Sequence, residues 1–263
     1  MLTIFNAFSG SLITIVGGWD ANHVPYRDAQ IVDFSWQTIA CPNLPEYPIA
    51  MSSATGAIVS GRPLICGGYS GSYTYHSECY QHSKTTNTWT SLTPMTTKRS
   101  ASASVSLNGK LWVVGGWDGI LSNRLSSSEF VSSDGQTSQP GPELPSPQFG
   151  HCAVKLSTGQ VMLLGGDPES KSAVKFDPDT GTFNTSLPSL KFDRVYFGCA
   201  VFKSAMHDNR EVVLAAGGHG EATAEVLDHT QPNAKWTESN YSFLLFYLCL
   251  HKSSLKKSQL GCS

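Results

Sequence analysis

The chain alternates short apolar runs with polar, glycine-rich turns, and one kind of apolar run returns at a regular interval. It ends each time in two glycines, as in LITIVGG, RPLICGG, KLWVVGG, QVMLLGG and VVLAAGG. The first glycines of these doublets are spaced 50, 48, 50 and 52 residues apart, at Gly17, Gly67, Gly115, Gly165 and Gly217. No stretch places apolar residues at helical spacing, so a repeated all-β architecture is predicted.

The residues that flank the doublets repeat as well. A short strand and a tight turn such as Asn108-Gly109 come before the doublets, which predicts β-hairpins. A polar loop and a third strand follow, marked by Phe34, Tyr80, Phe130, Phe176 and Leu227. A fourth strand is marked by Trp89 and Trp236 in two repeats, and by Cys41, Ser138 and Phe183 in the others. Each repeat therefore predicts a four-stranded antiparallel sheet.

This order of features resembles the kelch repeat: an aliphatic strand ending in Gly-Gly, then an aromatic residue, a tryptophan and a proline-rich step. The resemblance covers about residues 2–238. The resemblance implies a kelch-type β-propeller of about five four-stranded antiparallel blades, because a single sheet buries its faces only against neighbouring blades. We predict a propeller domain at 1–238, with repeats at 1–48, 49–98, 99–147, 148–193 and 194–238. The family most often has six or seven repeats, so the prediction leaves open whether five blades close the ring.

The C-terminal segment 239–263 departs from the repeat. Its apolar stretch YSFLLFYLCL is ten residues long, about half of a membrane-spanning helix, so no membrane span is predicted. The segment either pairs with the first blade as a closing strand or replaces a lost sixth blade with unrelated sequence; the second interpretation is favoured. The apolar N-terminus lacks a basic region and is not predicted to be a signal peptide.

Composition and motifs narrow the classes of function. The net charge is −2 and no basic block is present, so nucleic acid is not a predicted partner. No GxSxG, P-loop or HExxH motif occurs, and the glycine doublets do not lie between a strand and a helix. We therefore predict a protein that is not an enzyme and that uses no cofactor.

The kelch resemblance implies a binding face made of the loops that follow the doublets and the loops between blades. We predict a non-catalytic protein–protein interaction module whose partner is another protein of unspecified identity. Tyr, Trp and Arg commonly dominate such interfaces. The predicted partner-binding residues are Trp19, Arg27, Tyr73, Tyr75, His76, Arg99, Trp117, Arg124 and Arg194. For the two tryptophans, each in a GGWD turn, packing against their own blade is the alternative.

Two other functions are weighed against this one. Some kelch-like propellers resemble galactose oxidase, a copper radical enzyme that needs imidazole and phenolate ligands and a Tyr joined to a Cys. Tyr75, His76 and Cys79 are the only local cluster of those residue types, and no second Tyr-His pair exists. A weak divalent-metal site at His23, His76, His219 and Asp118 is a second alternative, disfavoured to the same degree. The other alternative is a truncated product without independent function.

Seven cysteines are present and none forms a CxxC motif, which excludes a zinc ribbon. Cys66 precedes the second doublet and Cys79 precedes the third-strand Tyr80, so neighbouring strands could carry a disulfide between them. With Cys41, the pair also resembles a pattern in some secreted animal kelch-like proteins. Together with glycosylation motifs at Asn184 and Asn240, this favours an extracellular location over a cytoplasmic one, although the compartment stays open.

Overall fold

The computed structural model describes residues 4–9, 12–20, 22–33, 44–120 and 123–239. These residues form five antiparallel sheets, and the first sheet has three described strands while the other four have four each. One 3₁₀ turn, Ala205–His207, is the sole helical element in the described ranges. None of the described helical structure is long and apolar enough to cross a membrane. The predicted all-β propeller is confirmed.

The strands follow one another in chain order within each sheet, which we call a blade. Blade 1 has β1 (Ile4–Ser9), β2 (Leu12–Val16) and β3 (Ala29–Asp33). Blade 2 has β4 (Thr55–Val59), β5 (Arg62–Cys66), β6 (Cys79–Ser83) and β7 (Thr88–Leu92). Blade 3 has β8 (Ala103–Leu107), β9 (Lys110–Val114), β10 (Ser128–Ser132) and β11 (Ser138–Pro140).

Blades 4 and 5 complete the described fold. Blade 4 has β12 (Cys152–Lys155), β13 (Val161–Leu164), β14 (Ala173–Asp177) and β15 (Thr182–Asn184). Blade 5 has β16 (Gly198–Ser204), β17 (Arg210–Ala216), β18 (Ala224–Leu227) and β19 (Thr237–Glu238). The first strands of successive blades contact one another, in the order β1, β4, β8, β12 and β16, so these strands are the innermost ones.

The uninterrupted apolar second strands are explained by burial on both faces. In β9, Leu111 and Val113 pack into a cluster with residues of blade 2, whereas Trp112 and Val114 pack into a cluster with residues of blade 4. All four side chains are fully buried. A strand with a neighbouring blade on each side has no face exposed to solvent, which is why the runs are apolar at nearly every position.

The signature tryptophans fix the outer part of two blades. The indole N–H of Trp89 donates a hydrogen bond of 2.8 Å to the carbonyl of Pro45, and that of Trp236 donates one of 3.0 Å to the carbonyl of Pro188. Both prolines belong to segments that lead into the tryptophan's own blade. The Leu-Pro step and the tryptophan are therefore parts of one packing unit. The predicted markers Phe34 and Cys41, and residues 240–263, lie outside the described residues.

The glycine doublets join consecutive blades through the backbone. The N–H of Gly116 donates to the carbonyl of Gln148 at 2.7 Å, and the same bond links Gly68 to Arg99 and Gly166 to Arg194. A Cβ atom on Gly115, whose φ is 59°, would lie 2.6 Å from the Gln148 carbonyl oxygen. The doublet is therefore needed for a close approach of two backbones and for a left-handed conformation.

Replacing Gly115 with alanine is expected to destabilise the fold by about 2 kcal/mol, because strain at positive φ adds to the clash with a neighbouring backbone. Gly159 is the matched control, since its φ is 89° and a Cβ there would meet nothing within 4 Å. Gly159→Ala should cost only about 1 kcal/mol. Urea denaturation of both variants measures the difference, and equal losses would contradict the role of close approach.

Candidate functional site

The loops between the second and third strands and the segments between blades lie on one face of the disc. We call this the loop face; its described parts are 17–20, 22–28, 44–54, 67–78, 93–102, 115–120, 123–127, 141–151, 165–172, 185–197 and 217–223. Isolated backbone bridges join the two kinds of segment, for example Ser52 with Tyr69, Ser100 with Trp117 and Phe149 with Asp167. The loops are thereby held to the blades at their bases.

A continuous row of aromatic rings crosses the loop face from blade 1 to blade 5. Successive ring centroids are 5.0 to 6.4 Å apart. Each of these side chains is partly exposed. We call this row the aromatic arc; it consists of Trp19, Tyr69, Tyr75, Trp117, Phe149 and Tyr196. The repeat brings the rings together because equivalent loops lie side by side in neighbouring blades.

Local backbone geometry fixes the centre of the arc. Gly119 has a φ of 92°, and a Cβ at this position would collide with the ring of Tyr75. The blade 3 loop can therefore lie directly against a ring of blade 2. The Trp117 indole N–H donates to the Ile120 carbonyl at 2.8 Å, which orients the next ring of the arc.

Exposed apolar side chains stand at the tips of three of these loops. Tyr73 is 88% exposed, Ile120 is 64% exposed and Val24 is 55% exposed. Each belongs to the loop that follows a glycine doublet, in blades 2, 3 and 1 respectively. The arc is thus bordered by apolar groups that have no cover in the described chain.

Carboxylates lie close to three phenols of the loop face. Burial, then the neighbouring Tyr69, Tyr73 and Asp118, raise the pKa of Tyr75. The pKa of Tyr196 is raised to about 12, mainly by burial and to a smaller extent by the charge of Asp167 and by the neighbouring Tyr75. The pKa of Tyr26 is raised by burial and by Asp20 and Asp28. Each phenol therefore has at least one carboxylate close enough to oppose its ionisation.

Most of the predicted partner-binding residues lie on the loop face. Trp19, Tyr75 and Trp117 are members of the arc, Tyr73 is a loop tip, and Arg27 is exposed. His76 is partly buried, with Nε2 2.8 Å from the Ser70 hydroxyl oxygen and Nδ1 3.1 Å from a Glu78 carboxylate oxygen. Arg124 is partly exposed, forms an ion pair with Asp167, and places its guanidinium 5.8 Å from the Phe149 ring centroid.

Arg99 and Arg194 require a correction, because both are buried inside the blades rather than presented on the loop face. Their side chains are 1% and 0% exposed. Arg99 pairs with Glu129 at 3.1 Å and Arg194 with Glu225 at 2.7 Å. Arg194 also donates to the carbonyls of Gly217 and Thr223. These guanidiniums have internal partners for their donors, so they serve the scaffold and are not available to a ligand.

Two arc residues, Phe149 and Tyr196, were absent from the predicted set. Both belong to segments that enter a new blade, and they stand three residues before Cys152 and Cys199 respectively. In each segment one residue, Gln148 or Arg194, accepts a hydrogen bond from the second glycine of a doublet. The aromatic residue follows it by one position in Phe149 and by two positions in Tyr196. This pattern identifies the segment, whereas contact with the arc depends on the neighbouring blade.

Two disulfides are present in the described residues. Cys66 and Cys79 are paired neighbours on β5 and β6, with an S–S distance of 2.04 Å, as the sequence predicted. Cys152 and Cys199 join the innermost strands of blades 4 and 5, with an S–S distance of 1.97 Å. The second bond links two blades and was not predicted.

The residues considered for copper chemistry have other partners. The Cys79 sulfur is bonded to Cys66 and is therefore not free to join a tyrosine. His76 is hydrogen-bonded within its own loop. Across the described part of the chain, no three His, Cys, Asp or Glu side chains are grouped to hold a metal.

The described molecule is therefore a β-propeller of repeated antiparallel blades with an aromatic arc on its loop face. A family model for the kelch motif matches residues 98–129. Similar curated proteins are Kelch-like protein 33 of Homo sapiens, 32% identical over 142 residues, and Kelch-like protein 35 of Mus musculus, 29% identical over 207 residues. The match covers 49% of this chain and 25% of the first relative, and 76% of this chain and 33% of the second. These matches confirm the predicted resemblance to kelch-repeat proteins, over part of the chain and of the relatives.

A plant protein with kelch repeats is also similar to this chain. An F-box/kelch-repeat protein of Arabidopsis thaliana is 27% identical over 143 residues, which are 51% of this chain and 38% of the relative. The matches thus span between a quarter and about two fifths of the relatives' lengths.

Proposed function

We propose that this chain is a non-catalytic protein-interaction module that binds its partner on the loop face. The aromatic arc is the observation that carries this proposal. Its six rings extend over all five blades and remain partly exposed. Kelch propellers commonly serve as protein-interaction modules, and the kelch motif and the similarity to kelch-like proteins support this class of function.

The composition of the face suits protein recognition. Tyr and Trp offer a large apolar area with a polar group, and they lose little conformational freedom on binding. The exposed tips Val24, Tyr73 and Ile120 add apolar area around the arc. On the opposite face, in the loops that connect first to second strands, Met206 is the one large apolar side chain that is strongly exposed in the described residues, at 77%.

Replacing both Tyr75 and Arg124 with alanine is expected to reduce partner capture at least tenfold, because Tyr75 is at the centre of the arc and Arg124 covers Phe149. Quantitative affinity capture from cell extract, with mass spectrometry, compares this variant with the wild-type chain. Met206→Ala is the matched control, since it removes an exposed apolar side chain from the opposite face.

Thermal melts of the three proteins separate binding from folding. Proteins captured by the wild type and by Met206→Ala, but lost from the double variant with an unchanged melt, support the proposal. A set of captured proteins that the double variant retains in full contradicts it.

A further inference from the structure

We infer that the segment bound by the loop face is basic, with Arg or Lys side chains that lie over arc tryptophans and pair with the adjacent aspartates. This inference rests on the proposed function, because it names the chemistry of the partner for the same face. Three observations carry it: an excess of carboxylates, a repeated Trp–Asp pair, and one internal example of the contact.

The five loops that follow the doublets contain more acidic than basic side chains. They carry seven Asp or Glu residues and three Lys or Arg residues. Arg124 pairs with Asp167, which is one of the seven, and Lys171 pairs with Asp193 of a segment between blades. Six carboxylates of these loops are thus left without a Lys or Arg partner among the described residues. Arg27 remains as the exposed cation of these loops. A surface with this imbalance attracts positively charged partners and repels acidic ones.

A tryptophan followed by an aspartate occurs at the same place in blades 1 and 3, as Trp19-Asp20 and Trp117-Asp118. Asp20 accepts hydrogen bonds from the backbone N–H groups of Asn22 and Val24. Asp118 accepts one from the N–H of Ile120 and one from the amide of Asn123. Within the described ranges neither carboxylate forms an ion pair with Lys or Arg.

The third aromatic–carboxylate pair of the face shows what these pairs can bind. Phe149 and Asp167 are bridged neighbours, and the guanidinium of Arg124 pairs with Asp167 while its centre lies 5.8 Å from the Phe149 centroid. A cation held between a ring face and a carboxylate gains both electrostatic attractions. Trp19-Asp20 and Trp117-Asp118 also place a ring and a carboxylate on neighbouring residues, and neither carboxylate is ion-paired with Lys or Arg in the described residues. Tryptophan is the better ring for this contact.

The spacing of the two open pairs limits the partner. Three ring contacts of 5.0 to 6.4 Å separate Trp19 from Trp117 along the arc. An extended chain advances about 3.3 Å per residue. Two basic residues no more than about five positions apart in an extended segment can therefore occupy both pairs.

Selection of a random peptide library on the wild-type chain tests the inference without knowledge of the natural partner. We expect enriched peptides to contain two Arg or Lys residues within this spacing. Their affinities, measured by fluorescence anisotropy, should fall at least tenfold when Arg is replaced with citrulline, its uncharged analogue. They should fall similarly on the Asp20→Asn, Asp118→Asn double variant, because asparagine keeps the acceptor oxygen and removes the charge.

The matched control is the Asp179→Asn, Asp208→Asn double variant, which removes the same charge from exposed loops of the opposite face. It should bind the peptides as the wild type does. Enrichment of acidic or uncharged peptides that lose binding to the Tyr75→Ala, Arg124→Ala variant would overturn the basic partner and leave the proposed function standing. Failure to enrich any peptide that depends on the loop face would contradict the proposed function itself.

Discussion

Replacing Glu225 with valine will cost about 3–5 kcal/mol of folding free energy, because the guanidinium of Arg194 will stay buried without its counter-charge. Both side chains are 0% exposed. Glu225 also accepts hydrogen bonds from the backbone N–H groups of Lys191 and Phe192, so its loss leaves several buried donors unpaired. Urea denaturation at neutral pH measures the loss.

The protein itself supplies the control for this experiment. In blade 4, Gln148 and Val174 occupy the positions equivalent to Arg194 and Glu225. Gln148, like Arg194, accepts a hydrogen bond from the glycine doublet of the preceding blade. Val174, like Glu225, is paired with the strand residue two positions before the doublet of its own blade. The Arg194→Gln, Glu225→Val double variant therefore copies an arrangement that the fold already accepts. It should recover part of the stability lost by Glu225→Val alone. A single variant as stable as the wild type would show that the ion pair is dispensable.

The buried Arg99–Glu129 pair predicts how blade 3 responds to acid. Burial raises the pKa of Glu129, but hydrogen bonds from Thr96 and Ser138 and the charge of Arg99 outweigh it and leave the pKa lowered. A carboxyl whose pKa is lower in the folded state contributes stability that is present at neutral pH and is lost as the pH falls through the folded pKa. Acid is therefore expected to destabilise blade 3 through protonation of Glu129.

The blades were predictable from the sequence because their cause is local and repeated. A second strand such as β9 must be apolar throughout, since alternate residues meet different blades. The glycine doublet must follow it, since Gly115 approaches the Gln148 carbonyl. Each constraint leaves its own mark on the sequence at a constant interval.

The burial of Arg99 and Arg194 could not be deduced from their place between blades, where exposed residues are also found. The useful signal was a second residue in register. In the two repeats with Arg99 and Arg194, a glutamate follows about 30 residues later, at Glu129 and Glu225. The repeats that have Gln148 or Met51 instead of arginine have Val174 or Tyr80 instead of glutamate. Comparing positions between repeats would have identified both pairs.

The aromatic arc was predicted only in part for a related reason. The repeat places Trp19, Tyr75 and Trp117 in loops that share a face, and this follows from strand order alone. Ring-to-ring contact with Phe149 and Tyr196 depends on the twist between neighbouring blades, which the sequence of one blade does not encode. A face assembled from several repeats is therefore harder to predict than the repeat itself.

The disulfide between Cys152 and Cys199 is expected to contribute about 4 kcal/mol, because the bond closes a loop of 47 residues and so restricts the unfolded chain strongly. The Cys152→Ala, Cys199→Ala double variant should lose this amount in urea denaturation. The Cys66→Ala, Cys79→Ala variant is the comparison, since that bond spans 13 residues within one blade and should contribute about 3 kcal/mol. Full stability without the inter-blade bond would contradict the expectation.

The location of the inter-blade bond links stability to binding. Cys152 and Cys199 each stand three residues after a ring of the arc, and the N–H of Tyr196 donates to the Gly150 carbonyl at 2.8 Å. The bond therefore fixes the two segments that carry Phe149 and Tyr196. Hydrogen exchange should show faster opening of β12 and β16 in the Cys152→Ala, Cys199→Ala variant, with weaker capture of the partner. Faster exchange confined to β5 and β6 would contradict the expectation that the inter-blade disulfide holds β12 and β16 in place.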